Sequence, residues 1–366
     1  MVPANATPPL LGDDAPVHFV LMIAVVTGSS GFIGSHVVDA LLARGATVRV
    51  LRRPESPASH DPRVAQWTAD LLDDRSVRES PIWKDVTHVF HAGGVTKRRT
   101  LAEFRYGNVV PTANILSALV ARGRRVPRFV YLSSQAAAGP AASPDRPVQE
   151  TDPPHPIEAY GQSKLEAEEA VSRYAGQLSV TILRPGAVYG PRDVDFLKAF
   201  KEARRRIAFH AAPRDQALSV VYVRDLVHAV LLAGDHPAAS GRTYFVAAGD
   251  VVTWNHIYRG VAKLAGTVPL EIQLPRAAMW VAGRAGNLLS LVSGRHFLLN
   301  ANKIALSRPR WWLCDATRAK RELGWSATTT LADGLEETYR WYLDAGWLRA
   351  KSPAAATKSG TLEKHS

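Results

Sequence analysis

Tyr160 and Lys164 stand four residues apart at the head of the run Tyr160-GQSKLEAEEAVSRYA. Its Ala, Leu, Glu and Lys content and its 3.6-residue apolar spacing predict a helix. On a helix the two side chains share one face. A phenol ordinarily keeps its proton up to about pH 10 and is a poor base at neutrality. An ammonium beside it favours the phenolate, so the pair reads as an acid/base unit. The same spacing also arises where a solvated Tyr merely neighbours a surface Lys, and the residues upstream decide between the two.

Upstream, the apolar run Ile23 to Thr27 flows into Gly28-Ser-Ser30-Gly31-Phe32-Ile33-Gly34 and then into SHVVDALLARG, an amphipathic stretch ending at Gly45. Strand, glycine loop and helix in that order form a dinucleotide cradle. Gly28 permits the tight turn, Gly31 lets the backbone approach a pyrophosphate, and Gly34 lets helix and strand pack. The free N–H groups of the helix then meet the phosphates. The second strand, Thr47 to Leu51, ends in Arg52-Arg53. An acid at that point grips a ribose 2′-hydroxyl, whereas arginine accommodates a 2′-phosphate. NADP(H) is therefore the favoured cofactor, with NAD(H) the alternative.

The elements that must position these groups follow in regular order. Val64 to Thr68 reads as a third strand, with Asp70-Leu71 placed to meet an adenine. Thr87 to His91 is a fourth strand, followed by the small residues Ala92-Gly93-Gly94 that admit a ligand to the backbone. A helix from Leu101 to Ala121 carries Asn108, and Arg128 to Leu132 ends at Ser133-Ser134. The Pro-rich stretch Gly139 to Pro156 is an irregular loop. Val180 to Leu183 is a sixth strand, capped by Arg184-Pro185-Gly186 and followed by Val188. The alternation predicts an α/β fold, a Rossmann-type doubly wound parallel sheet with ligands at the strand C-terminal ends. A smaller C-terminal substrate domain is interleaved with it. The expected boundaries are 22–190 for the nucleotide domain, with later strands within 218–248, and 191–217 plus 249–348 for the substrate domain. Residues 1–21 and 349–366 read as a disordered leader and tail, with Met22 a candidate start.

The 366 residues suffice for one large or two medium domains. One cysteine, Cys314, excludes an internal disulfide and fits a reducing cytoplasm. No spacing suggests a metal site, and His88 and His91 fall in a buried-strand pattern. The net charge is +12, concentrated in Lys97 to Arg99, Lys198 to Arg206 and Arg308 to Arg321. No nucleic-acid motif accompanies it, so that partner is set aside. No apolar run is long enough to span a bilayer; the best, Met279 to Leu299, is broken by Arg284 and Arg295.

In sum the residues resemble the extended short-chain dehydrogenase/reductase family, which includes NAD-dependent epimerases and dehydratases. The resemblance covers roughly Met22 to Leu348. It rests on TGSSGFIG at 27–34, DLLD at 70–73, HAGG at 91–94, YLSS at 131–134 and YGQSK at 160–164. LRPGAVYGPRD at 183–193, VYVRDLVHAV at 221–230 and ELGW at 322–325 complete the order. The resemblance implies Tyr160 as catalytic acid/base, Lys164 as the group that binds the nicotinamide ribose and lowers the Tyr160 pKa, and Ser134 as hydrogen-bond partner of the substrate oxygen. It also implies cofactor contacts along Gly28 to Gly34 and at Pro185 and Val188, a structural or water-holding Asn108, and a homodimer as a common assembly.

Two features sort the branches. Dehydratases of this kind carry Asp-Glu after the catalytic hydroxyl residue, where Gln135-Ala136 stand here; epimerases often carry tyrosine where Ala138 stands. Pro269 to Leu299, with Trp311-Trp312-Leu313 after it, is rich in apolar residues. It resembles the substrate lid of 3β-hydroxysteroid dehydrogenase-like and dihydroflavonol-reductase-like enzymes, although a domain core would have the same composition. The expected function is hydride transfer to or from a ketone or hydroxyl of a largely apolar small molecule, sterol-, polyprenoid-, polyketide- or lipid-like. An NDP-sugar epimerase is the alternative. Arg276, Arg284 and Arg295 among the apolar residues leave peripheral membrane contact as a less favoured reading.

Overall fold

In the computed structural model, residues 22–123, 127–210, 213, 215–274 and 305–349 are described. Seven parallel strands form the main sheet: β1 (Ile23–Thr27), β2 (Thr47–Arg52), β3 (Ala65–Thr68), β4 (His88–His91), β5 (Arg128–Leu132), β6 (Ser179–Pro185) and, much later in the chain, Arg242–Val246. Their spatial order is β3-β2-β1-β4-β5-β6 followed by Arg242–Val246. The order reverses between β1 and β4, which is where a doubly wound sheet opens a crevice for ligands.

Both faces of the sheet are covered, so the strands are nearly continuous apolar runs, β1 reading IAVVT. Alternation sends Ala24, Val26, Val48, Val50, Phe90 and Val130 to one face, against Val37, Val38 and Leu41 of α1 (Phe32–Ala43). Val25, Leu51, Val89, Phe129 and Tyr131 go to the other. There they meet Ile115, Leu116 and Leu119 of α3 (Leu101–Val120) and Ala167 and Val171 of α5 (Ala159–Arg173). Between these helices run the short α2 (Asp74–Glu79) and α4 (Gln135–Ala138).

Beyond β6 the chain builds a second core around Tyr189, Phe200, Tyr222, Ile257 and Tyr342. It packs among β7 (Ala187–Tyr189), α6 (Leu197–Arg204), α8 (Trp254–Ala265) and the closing helix Leu331–Asp344, whereas α7 (Val223–Asp235) packs beside α1 in the first core. Residues 218–248 divide between two sheets. Arg242–Val246 lies parallel to β6 in the main sheet, whereas Ala217–Tyr222 pairs with β7, Val251–Thr253 and Trp311–Trp312. Trp312 and Leu313 are buried, so this part of the expected apolar lid is core. The leader, the tail and the span 275–304, with most of the remaining lid and Arg276, Arg284 and Arg295, lie outside the described residues.

Candidate active site

The glycine loop closes as its spacing predicts. Gly28 has φ +71°, and a Cβ there would come within 2.6 Å of the Gly93 backbone. A Cβ at Gly34 would come within 2.1 Å of the Gly28 carbonyl oxygen. The Gly31 N–H donates to the Gly28 carbonyl at 2.9 Å, and Gly31 caps α1 with no side-chain bond. The first N–H groups of α1 are thus left for a ligand.

The loop borders a cavity of about 610 Å³. Of the expected contacts, Gly28, Ser30, Gly31, Arg52, Arg53, Asp70, Leu71, Ala92, Gly93 and Gly94 all line it. So do Arg98, Glu103 and Tyr106, which carry no motif and are legible only from the fold. Arg52 donates to the Ser56 carbonyl at 2.8 Å, and its Nε is buried without a partner among the described residues. Arg53 pairs with Glu55 at 3.2 Å. Phe32 and Ile33 turn instead into the first core, as does Val188. Pro185 ends β6 opposite Val246.

Tyr160, Lys164 and Ser134 do not line this cavity; they stand together on α5 and at the head of α4. Asn108 joins the two regions. Its amide accepts from the Val95 N–H at 2.7 Å, beside the cavity, and donates to Ser163 Oγ at 2.9 Å on α5. Ser163 in turn donates to the Tyr160 carbonyl at 2.7 Å. The N-terminus of α5 is capped by Glu158, which accepts from the Tyr160 N–H at 2.6 Å and the Gly161 N–H at 2.5 Å. A Cβ at Gly161 would meet the Ala136 carbonyl at 2.3 Å, so α4 and α5 approach closely at this point. That approach sets Ser134, whose Oγ accepts from the Ala136 N–H at 3.1 Å, beside the Tyr160 side chain.

Lys164 is buried; its Nζ donates to the Leu132 carbonyl at 2.6 Å and lies 4.2 Å from the centre of the Tyr131 ring. Burial lowers its pKa to about 7, with the Glu168 carboxylate opposing. Burial also raises Tyr160 to about 12, the Ser134 hydrogen bond lowering it in part and the Glu158 and Asp195 carboxylates adding to the rise. Lys164 is drawn toward neutrality by the same desolvation that raises Tyr160, and its contact is with β5. His91 stays neutral, its pKa lowered to about 3 by burial and by the charge of Lys164. Beneath the site, Glu168 takes a 2.6 Å bond from Arg184 and a short one from Ser133 Oγ. The position of Glu168, four residues after Lys164, is the signal that would have found it.

With this geometry in place, similarity to known proteins is decisive. The signature of the NAD dependent epimerase/dehydratase family matches residues 24–247, from β1 through Arg242–Val246. The chain belongs to that family. Its relatives include a ceramide reductase from Caulobacter vibrioides, 29% identical over 329 residues covering 89% of this chain and 96% of the relative. The 4-hydroxy-2-methyl-3-oxo-4-farnesyl-3,4-dihydroquinoline-1-oxide ketoreductase of Stigmatella aurantiaca is 29% identical, covering 86% and 95%. Among solved structures, MoeE5 in complex with UDP-glucuronic acid and NAD superposes with a TM-score of 0.71 at 25% identity, covering 88% of this chain and 99% of that one. The chain is therefore an NAD(P)-dependent enzyme of that family, whose relatives include both oxidoreductases and epimerases. No helix of the described residues is long and apolar enough to cross a membrane.

Proposed function

We propose that the protein is an NADP(H)-dependent reductase or dehydrogenase acting on a ketone or hydroxyl of a lipid-like molecule. The observation that carries this reading is near-full-length similarity to two reductases whose named substrates, a ceramide and a farnesylated quinoline, are largely apolar. The residues after Ser134 support it. Gln135, Ala136 and Ala137 supply no carboxylate for eliminating water.

A nicotinamide dinucleotide fits the residues present. Glycine at 28 lets the loop close against the Gly93 backbone, where a Cβ would come within 2.6 Å, and Arg52 has a buried Nε with no partner among the described residues, suited to an anion. Gly28, Ser30, Gly31 and Gly34 would hold it, Arg52 and Arg53 would take a 2′-phosphate, and Asp70, Leu71, Ala92, Gly93 and Gly94 would wall its path, with Pro185 and Val188 at the far strand ends. When bound, it supplies the hydride donor or acceptor. Negative charge then develops on the substrate oxygen. Ser134 Oγ holds that oxygen by a hydrogen bond, and the Tyr160 hydroxyl holds the proton that it takes up. A phenol near pH 12 is protonated throughout the neutral range, which suits proton donation in ketone reduction. Lys164 anchors the face of α5 on which Tyr160 stands.

The test is a panel of long-chain ketones and NDP-sugars, each with NADPH and NADH. Lipid ketones are expected to exceed NDP-sugars in kcat/KM by about 100-fold or more. Interconversion of sugar epimers without net change in cofactor would replace this reading by the epimerase one. Arg52→Ala is expected to raise the KM for NADPH about tenfold and to leave that for NADH in place, through loss of one charge-assisted contact; equal effects on both would refute the 2′-phosphate assignment.

A further inference from the structure

Far along the chain from the glycine loop, α6 and α8 pack together, and the segments that follow them join in a common tip. Both helices carry cations in their last turns, Lys201 and Arg204 on α6 and Lys263 on α8. Arg205 and Arg206 follow at once in the turn after α6. Two bonds tie this turn to the loop after α8: Thr267 Oγ1 donates to the Ala203 carbonyl at 2.9 Å, and the Leu270 N–H donates to the Arg206 carbonyl at 2.7 Å. That second loop presents Val268, 86% exposed, and Leu270, 66% exposed, with Pro269 between them. They are the two most exposed large apolar side chains among the described residues, and they lie on one strand-like segment two positions apart.

The local acids do not neutralise the tip. Glu202 is held by Lys198 at 3.4 Å and by the Tyr258 hydroxyl at 2.6 Å; Glu271 faces Arg259 at 3.8 Å. Lys201, Arg204, Arg205, Arg206 and Lys263 form no ion pair with another described residue. Cations at helix C-termini complement the helix dipoles, which accounts for three of the five. It does not account for two bare aliphatic side chains set among them. A soluble surface keeps such residues single, whereas aliphatic tips ringed by Lys and Arg are the composition that seats in the headgroup layer of an anionic bilayer.

We propose that the tip formed by Lys201, Arg204–Arg206, Lys263 and Val268–Leu270 docks on an anionic membrane surface. The cations meet lipid phosphates while Val268 and Leu270 enter the boundary between headgroups and acyl chains. The inference goes beyond the reading of the active site and stands whatever the substrate is; if both hold, the enzyme would meet a lipid substrate where it resides.

Flotation of the full-length protein with vesicles tests it. Binding is expected to vesicles containing about a third phosphatidylglycerol, to fall steeply with added salt, and to be at least about tenfold weaker to pure phosphatidylcholine. The double variant Lys201→Glu/Arg205→Glu is expected to bind the anionic vesicles at least about tenfold less well, with turnover of a short, water-soluble ketone unchanged. Leu270→Trp is expected to bind them more tightly, and it decides the matter if the charge-reversed protein does not fold. Equal binding to both vesicle types, or affinity indifferent to these substitutions, overturns the proposal. So does tighter retention on duplex DNA or RNA than on anionic vesicles, which would assign the tip to nucleic acid.

Discussion

A lysine ammonium buried beneath β5 gives up its hydration, and Lys164 regains part of it from the Leu132 carbonyl at 2.6 Å and the Tyr131 ring face at 4.2 Å. The remaining deficit is visible in a pKa lowered by burial to about 7. An unfolded lysine titrates near 10.4. Between these values the unfolded chain binds more protons than the folded one, so stability must rise with pH across that window. Below about pH 7 the full penalty is present, and above about pH 10 it is gone. Denaturant unfolding of the native protein is expected to gain up to about 1.4 kcal/mol per pH unit there from this residue, and Lys164→Met to lose that slope. A variant with the native slope would contradict the burial. The spacing of Tyr160 and Lys164 is legible in the sequence, but this balance is not. Desolvation depends on β5 and α3 closing over α5, from residues up to about sixty positions away, and no local pattern records it.

At the scale of elements, the glycine loop makes its own prediction. Gly34 packs α1 onto the loop so tightly that a Cβ would overlap the Gly28 carbonyl at 2.1 Å. Gly45, just after the same helix, has φ +76° and open space around it. Gly34→Ala is expected to weaken dinucleotide binding about tenfold or more and to lower stability by about 1–3 kcal/mol through overpacking. Gly45→Ala should cost about 1 kcal/mol from its left-handed backbone and leave affinity untouched. Calorimetric titration with NADPH separates the two, and equal affinities in both variants would remove Gly34 from the cradle. The parallel strands were open to sequence reading because strands buried on both faces are continuous apolar runs, and because helices of regular period intervene. The second sheet was not. Its strands Ala217–Tyr222 and Trp311–Trp312 lie far apart in the chain and pair for only two residues, so Trp311-Trp312-Leu313 has the composition of a lid and the position of a core.

For the molecule as a whole, the fold sets the cavity proposed to hold the nucleotide at the β1/β4 reversal and the proposed acid/base Tyr160 on α5, and Asn108 bonds Val95 beside the one and Ser163 beside the other. Hydride transfer with proton delivery from Tyr160 is the central claim. It is tested most directly by comparing native protein with Tyr160→Phe for NADPH oxidation driven by a long-chain ketone, with NADPH affinity measured alongside. The phenyl ring keeps the packing against Phe104, at 5.9 Å between centroids, and removes only the phenolic hydroxyl. Turnover is expected to fall by about 100-fold or more while NADPH binding stays within about twofold of native. A variant that binds NADPH normally and reduces the ketone at the native rate would contradict it.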